Sequence, residues 1–330
     1  MKVLLCFFLF PFCLSAQNYS LVWADEFDGP TLDGSKWVAE IGTGNGGWGN
    51  NELQYYTTST NNVFIDTGYL NIVGRAESVG GANFTSSRIK TQGLYDFQYG
   101  RVEARMKVPV GQGLWPAFWM LGSNITTVGW PLCGEIDVME HVNNELIIHG
   151  THHYDYFGHT YDGGQAWADA SIFHVYSIEW TANEIIWFLD GVEFYQTDIG
   201  PSSISKEEFH TPFFLLLNLA IGGNWPGSPN GTTTFPATMC VDYVRVYQET
   251  NELTEQTPNL FTLSPNPAND VLTINAISDL KSYTITNLQG EHLLTGDTNV
   301  IDVNSLIPGV YFVQVTMSEG NQSTVRFVKN

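Results

Sequence analysis

Between Leu21 and Tyr247, tyrosine, tryptophan, phenylalanine, valine and threonine recur in short alternating runs, each cut off by a cluster of glycine, asparagine or aspartate. Period-two alternation is the pattern of a strand with one buried face, and the clusters are turn chemistry. Tyr69-Leu-Asn-Ile-Val73, Gly100-Arg-Val-Glu-Ala-Arg-Met-Lys-Val108 and Ile185-Ile-Trp-Phe-Leu189 show it, the last running into the turn pair Asp190-Gly191. Phe213 to Ile221 is an almost unbroken apolar run, which suits a strand covered on both faces. No long amphipathic helix interrupts the series. The chain is therefore predicted to be all-β, with antiparallel strands stacked as a two-sheet sandwich.

Near residues 250–259 the composition turns polar and loses its aromatics, as a linker does. Residues 260–330 then resume a strand pattern of their own, in Val271-Leu-Thr-Ile-Asn275, Ser282-Tyr-Thr-Ile-Thr286, Gly309-Val-Tyr-Phe-Val-Gln-Val315 and Thr324-Val-Arg-Phe-Val328. That is enough for a small second β-sandwich. At the other end, Met1-Lys2, an apolar run from Val3 to Leu14 and Ser15-Ala16 read as a secretory signal peptide over residues 1–16. The run is too short to span a bilayer. This leaves residues 17–249 as the main domain.

Cys6 and Cys13 belong to that leader, so Cys133 and Cys240 are the cysteines of the main domain. Sequence cannot say whether they pair. Buried free thiols are expected, because a domain of about 230 residues buries enough core without a staple. The chain carries 13 Lys and Arg against 34 Asp and Glu, a formal charge of −21. Nucleic acid and polyanionic polysaccharides are poor partners for such a surface, and a neutral ligand suits it better.

Gly134-Glu-Ile-Asp-Val-Met-Glu-His141 places three carboxylates within six residues on strand-forming filler. In a regular strand Glu135 and Asp137 share a face and Glu140 points away. One extra residue, absorbed as a β-bulge around Val138-Met139, returns Glu140 to the acidic face while Ile136 is buried. Like charges so close disfavour joint ionisation and push a pKa upward. A solvated edge strand would tolerate them, but Trp115, Trp119 and Trp130 nearby argue for a cleft. Paired carboxylates in a cleft, one ionised and one protonated, are the equipment of retaining glycoside hydrolysis.

Further along, His149, Thr151 and His153 share one strand face and His152 takes the other. Zinc is disfavoured, since strand residues four apart lie about 13 Å from one another. Trp115 and Trp119 share a face, with Phe118 opposite and in the core. Trp225 sits in Gly222-Gly-Asn-Trp-Pro-Gly227, a loop that offers an indole to a ligand more easily than it buries one. Sugar rings stack on indoles, so Trp115, Trp119, Trp130 and Trp225 are candidate binding residues. Trp23, Trp37, Trp180 and Trp187 read as core.

The block Glu135-Ile-Asp-Val-Met-Glu140 resembles the bulged active-site signature of glycoside hydrolase family 16. Its flanks agree: Leu114-Trp-Pro-Ala-Phe-Trp-Met-Leu121, Gly222-Gly-Asn-Trp-Pro-Gly227 and Val241-Asp-Tyr-Val-Arg-Val-Tyr247 are similar to the laminarinase-like branch, which cuts β-1,3-glucans. The resemblance spans Leu21 to Tyr247 and implies a β-jelly roll with the substrate cleft in its concave sheet. It implies Glu135 as nucleophile, Glu140 as acid/base and Asp137 as the group tuning the pair. It implies His153 near the cleft floor, and Arg88 and Asn50 in subsites on the non-reducing side. It further implies a structural calcium site at Asp242, completed by carbonyls near Glu26 and Gly68.

Ser264-Pro-Asn-Pro267, Pro308-Gly-Val-Tyr-Phe312 and Phe327-Val-Lys329 resemble the C-terminal sorting domain of the type IX secretion pathway. A carbohydrate-binding module is the alternative for that block, which has no tryptophan with which to build a sugar platform. The expectation is a secreted, monomeric endo-β-1,3-glucanase acting on neutral β-glucan, with the type IX machinery as its other partner. Agarose and mixed-linkage glucan remain alternative substrates. A transglycosylase and a non-catalytic glucan-binding protein remain alternative functions.

Overall fold

A computed structural model describes residues 19–201, 206–249, 261–276, 279–287, 290–318 and 322–330. The predicted leader (1–16) and linker (250–259) lie outside these, apart from their sequence. The chain divides into two compact units between Thr250 and Asn251.

Among the described residues the first unit is built on two antiparallel sheets face to face, with a separate parallel pair of short strands, Gln54–Tyr56 and Phe84–Ser86. The concave sheet has seven strands, in the spatial order His159–Trp167, Ile147–Asp155, Glu135–Glu140, Leu114–Gly122, Phe213–Ile221, Arg88–Lys90 and Val38–Ala39. The convex sheet has eight and includes Gly100–Lys107, His174–Trp180, Glu184–Leu189 and Ala237–Glu249. Asp242 lies inside the last of these strands.

Alternation decides which side chains meet between the sheets. Leu114, Phe118 and Met120 point into the core beside Ile136, Trp180 and Trp187, while Trp115, Ala117 and Trp119 face the other way. All nine residues of Phe213–Ile221 are buried. Phe213, Leu215, Leu217, Leu219 and Ile221 join the inter-sheet core. On the opposite face, Phe214 and Leu216 pack with Leu121 and Cys133 in a satellite cluster. Asn218 and Ala220 form the floor of the groove. Trp37, Trp180 and Trp187 are fully buried as expected, and Trp23 packs partly buried against them. Cys133 and Cys240 are both buried free thiols.

The second unit is a small sandwich. Phe261–Ser264, Val271–Ala276 and Val300–Asp302 make one sheet, and His292–Gly296, Leu280–Thr286, Gly309–Met317 and Gln322–Lys329 the other. Phe261, Leu272, Ile274, Ile285, Val313, Val315 and Phe327 fill its core.

Candidate active site

The register of the acid strand breaks where the spacing requires. Against Leu114–Gly122, Asp137 faces Trp119, Met139 faces Phe118 and Glu140 faces Ala117. Against Ile147–Asp155, Asp137 faces Thr151 and Glu140 faces His149. Val138 and Met139 are thus accommodated as a bulge with both side chains in the core, and Glu135, Asp137 and Glu140 all face one groove. A bulge leaves backbone groups without ladder partners. The indole of Trp187, reaching across from the convex sheet, donates to the Asp137 carbonyl at 2.8 Å. Gly150 makes room for it: a Cβ there would lie 2.5 Å from the Trp187 ring.

The groove holds about 1080 Å³ and crosses the concave sheet. Each outer acid is gripped by an indole. Trp130 Nε1–H donates to Glu135 Oε2 at 2.8 Å, and Trp115 Nε1–H to Glu140 Oε1 at 2.8 Å. Asp137 is 2 % exposed and Glu140 8 %. Burial raises the pKa of Asp137 well above the usual carboxylate range, aided by the neighbouring charge of Glu135 and a hydrogen bond to it. Burial does the same to Glu140, reinforced by Asp137 and partly opposed by the Trp115 N–H. Both shifts favour the protonated form of the carboxyl. His153 Nε2 lies 3.1 Å from Asp137 Oδ2 and 4.0 Å from Glu135 Oε1.

Trp225 stands edge-on to Trp115 with ring centres 5.5 Å apart, 42 % exposed beside the groove. Trp119 lines the groove, but its N–H is engaged by Asn218 Oδ1 at 2.7 Å. Asn50 lines the groove too. Its carbonyl accepts the Asn224 N–H at 2.8 Å, tying its loop to that of Trp225. Arg88 lines the groove wall. It is 9 % exposed, lies between the rings of Trp48 and Trp119 at 4.9 and 4.7 Å, and its Nε is 2.7 Å from Glu40 Oε2. A guanidinium taken so far out of water needs a counter-charge, and Glu40 supplies it.

Several groove residues escaped the sequence reading. Trp48 sits in a left-handed backbone conformation (φ 56°) within a glycine-rich loop, where Gly47 is required because a Cβ would lie 2.5 Å from the Glu52 nitrogen. Glu52, its pKa raised by burial, accepts from Gln54 at 2.6 Å. Asn218 is one polar residue inside an apolar run, and that interruption was the available signal. His159 and Tyr161 come from the edge strand, with nothing in the local sequence to mark them.

The side chains at the calcium position implied by resemblance do not fit a cation as placed. Asp242 Oδ2 is paired with Arg105 Nη1 at 2.5 Å, and Glu26 with Arg245 at 2.7 and 2.8 Å. Gly68 lies in a left-handed turn (φ 80°) between Val63–Asp66 and Tyr69–Gly74. An ion binding through the Asp242 carboxylate would have to compete with Arg105. Chelation with EDTA is accordingly expected to move the melting temperature by less than about 2 °C, under 1 kcal/mol for a domain this size. A larger drop reversed by calcium would show Asp242 exchanging arginine for the ion.

Residues 48–245 match the profile of glycosyl hydrolases family 16, and residues 262–330 that of a secretion system C-terminal sorting domain. The latter is the type IX address predicted for this block, so the chain is exported to the cell surface or beyond. Among the described residues no helix is long and apolar enough to cross a membrane. A β-glucanase of Rhodothermus marinus is 42 % identical, over 71 % of this chain and 86 % of its own. The clotting factor G alpha subunit of Tachypleus tridentatus is 40 % identical over 72 % of this chain, which spans only 35 % of that protein. The crystal structure of the laminarinase from Rhodothermus marinus superposes with a TM-score of 0.65 at 41 % identity, covering 70 % of this chain and 98 % of that one. The chain belongs to glycosyl hydrolases family 16.

Proposed function

We propose that the protein is a secreted endo-β-1,3-glucanase that hydrolyses laminarin-type glucan with retention. The observation that carries this is the bulge at Val138–Met139, which turns three acids onto one groove wall and leaves each outer acid in the grip of a tryptophan. In the first displacement, Glu135 attacks the anomeric carbon while the Glu140 proton passes to the departing glycosidic oxygen, giving a glycosyl ester on Glu135. In the second, Glu140, now ionised, takes a proton from water, whose oxygen attacks the same carbon and releases Glu135. The choice of β-1,3-glucan is supported by the named activities of the relatives, by the aromatic groove lining and by a net charge of −21, which disfavours anionic polymers. We further take the leader at residues 1–16 to be removed on export, and the enzyme to act as a monomer.

The test is a reducing-sugar assay on laminarin, lichenan, agarose and xylan, with the anomer of the first product read by NMR. Laminarin should be cut fastest, releasing the β-anomer. An α-anomer would rule out double displacement, and a preference for agarose or xylan would rule out the substrate. Binding of laminarin without any release of reducing ends would make the protein a glucan-binding module.

A further inference from the structure

Glu135 is approached from two sides. On one side stands the Trp130 N–H. On the other runs a file of side chains through Asp137 and His153 that does not stop at His153. His159, on the edge strand, brings Nε2 to 2.9 Å from His153 Nδ1. The two imidazoles are within 13° of parallel, with centres 5.1 Å apart. Given the short nitrogen–nitrogen contact, that spacing is an edge-to-edge hydrogen bond and not a face-to-face stack. The Trp130 ring rests on His159 at 4.4 Å, so the two arms around Glu135 also brace one another.

Proton accounting gives the file a direction. Burial raises the pKa of Asp137 and so favours its protonated form, whose one hydrogen is directed at Glu135. Asp137 Oδ2 has no well-formed hydrogen bond and lies 3.1 Å from His153 Nε2, so it is the acceptor that a hydrogen on Nε2 would face. A neutral imidazole with Nε2–H has a bare Nδ1, which needs a donor, and His159 Nε2 is the group in place.

We propose that His159 is a positioning residue for the nucleophile: its Nε2–H donates to His153 Nδ1 and holds His153 in the tautomer whose Nε2–H faces Asp137. The hydrogens on His159, His153 and Asp137 then all point the same way, towards Glu135. Without His159, His153 is free to move its hydrogen to Nδ1. The bare Nε2 would then draw the Asp137 proton away from Glu135, which loses a hydrogen bond it needs as charge leaves and returns to it during the two displacements. The inference rests on the reading of Glu135 as a glycosidase nucleophile.

The test uses the full chain and two variants. His159→Phe keeps a ring under Trp130 and removes the donor, while His159→Gln keeps an amide N–H. His159→Phe should lower kcat on laminarin about tenfold, the worth of one charge-directed hydrogen bond, with KM within about twofold. His159→Gln should recover most of that loss, and both should melt close to the parent. Nitrogen-15 NMR of the histidine rings should show His153 as the Nε2–H tautomer in the parent and a shift towards Nδ1–H in His159→Phe. Equal kcat in both variants, a rise in KM alone, or a His153 already in the Nδ1–H form would each overturn the proposal. A parent inactive on laminarin but with the expected tautomer would count against the substrate assignment and not against this network.

Discussion

Glu135→Gln is expected to lower kcat on laminarin by about 10⁴-fold or more, since removing a nucleophile leaves only binding and the remaining electrostatics. The amide is nearly isosteric, and its oxygen can still accept the Trp130 N–H, so the groove should keep its shape. Laminarin affinity, measured by titration calorimetry, should stay within about threefold of the parent, which separates lost chemistry from lost fold. Glu140→Gln offers a contrast. It too should slow laminarin strongly, but much less so an aryl glycoside whose leaving group needs no proton, because the ester on Glu135 can still form. Azide, a nucleophile that requires no base, should then restore turnover by intercepting that ester. If Glu135→Gln retained turnover within about tenfold of the parent, the nucleophile assignment would be lost.

The second large effect is on stability. His152 points away from the groove, between the sheets, fully buried among Tyr154, Trp187, Tyr195 and Phe209. Neither ring nitrogen has a well-formed hydrogen bond. Burial pushes its pKa down from 6.5 to about 3, with Lys206 adding to the depression and Asp162 opposing it. The unfolded chain takes up a proton here below about pH 6.5 and the folded one does not, so stability is lost as pH falls from 6.5 towards 3. At about 1.4 kcal/mol per pH unit the loss from this one ring is about 3 kcal/mol between pH 6.5 and pH 4. Asp137 and Glu140 act in the opposite sense, because their raised pKa values make the folded state the better proton binder above the ordinary carboxylate range. The contribution of His152 is therefore read by difference. Urea midpoints at pH 7 and pH 4 should fall much less in His152→Leu than in the parent. Parallel falls in the two proteins would show the buried ring to be indifferent to protonation.

How much could be read in advance varied with the kind of interaction. Three acids at positions 135, 137 and 140 cannot share a face of a regular strand. The bulge was therefore legible from their spacing, given only that they act together, and the register shows it. The aromatic partition was legible for the same reason: Trp115 and Trp119 face the groove and Phe118 the core because backbone pleating alternates. Arg88 shows the limit. Its residue type and position drew attention to the groove, but its engagement by Glu40 depends on Val38–Ala39 lying beside Arg88–Lys90 in the finished sheet. The pairing of Asp242 with Arg105 has the same origin, since the two are 137 residues apart and meet only through strand order.

The sequence by itself determined the strand periodicity, the division into two β units, the export address at the C-terminus and the three acids of one kinked strand. These follow from the period of the backbone and from residues close together in the chain. The tertiary structure alone decided which groups complete the site: Trp187 across the sandwich on the bulge, Trp130 and Trp115 on the outer acids, and the His159–His153 pair behind the nucleophile. Those contacts are set by sheet order and register. The packing of the whole core selects both, and no local pattern encodes them.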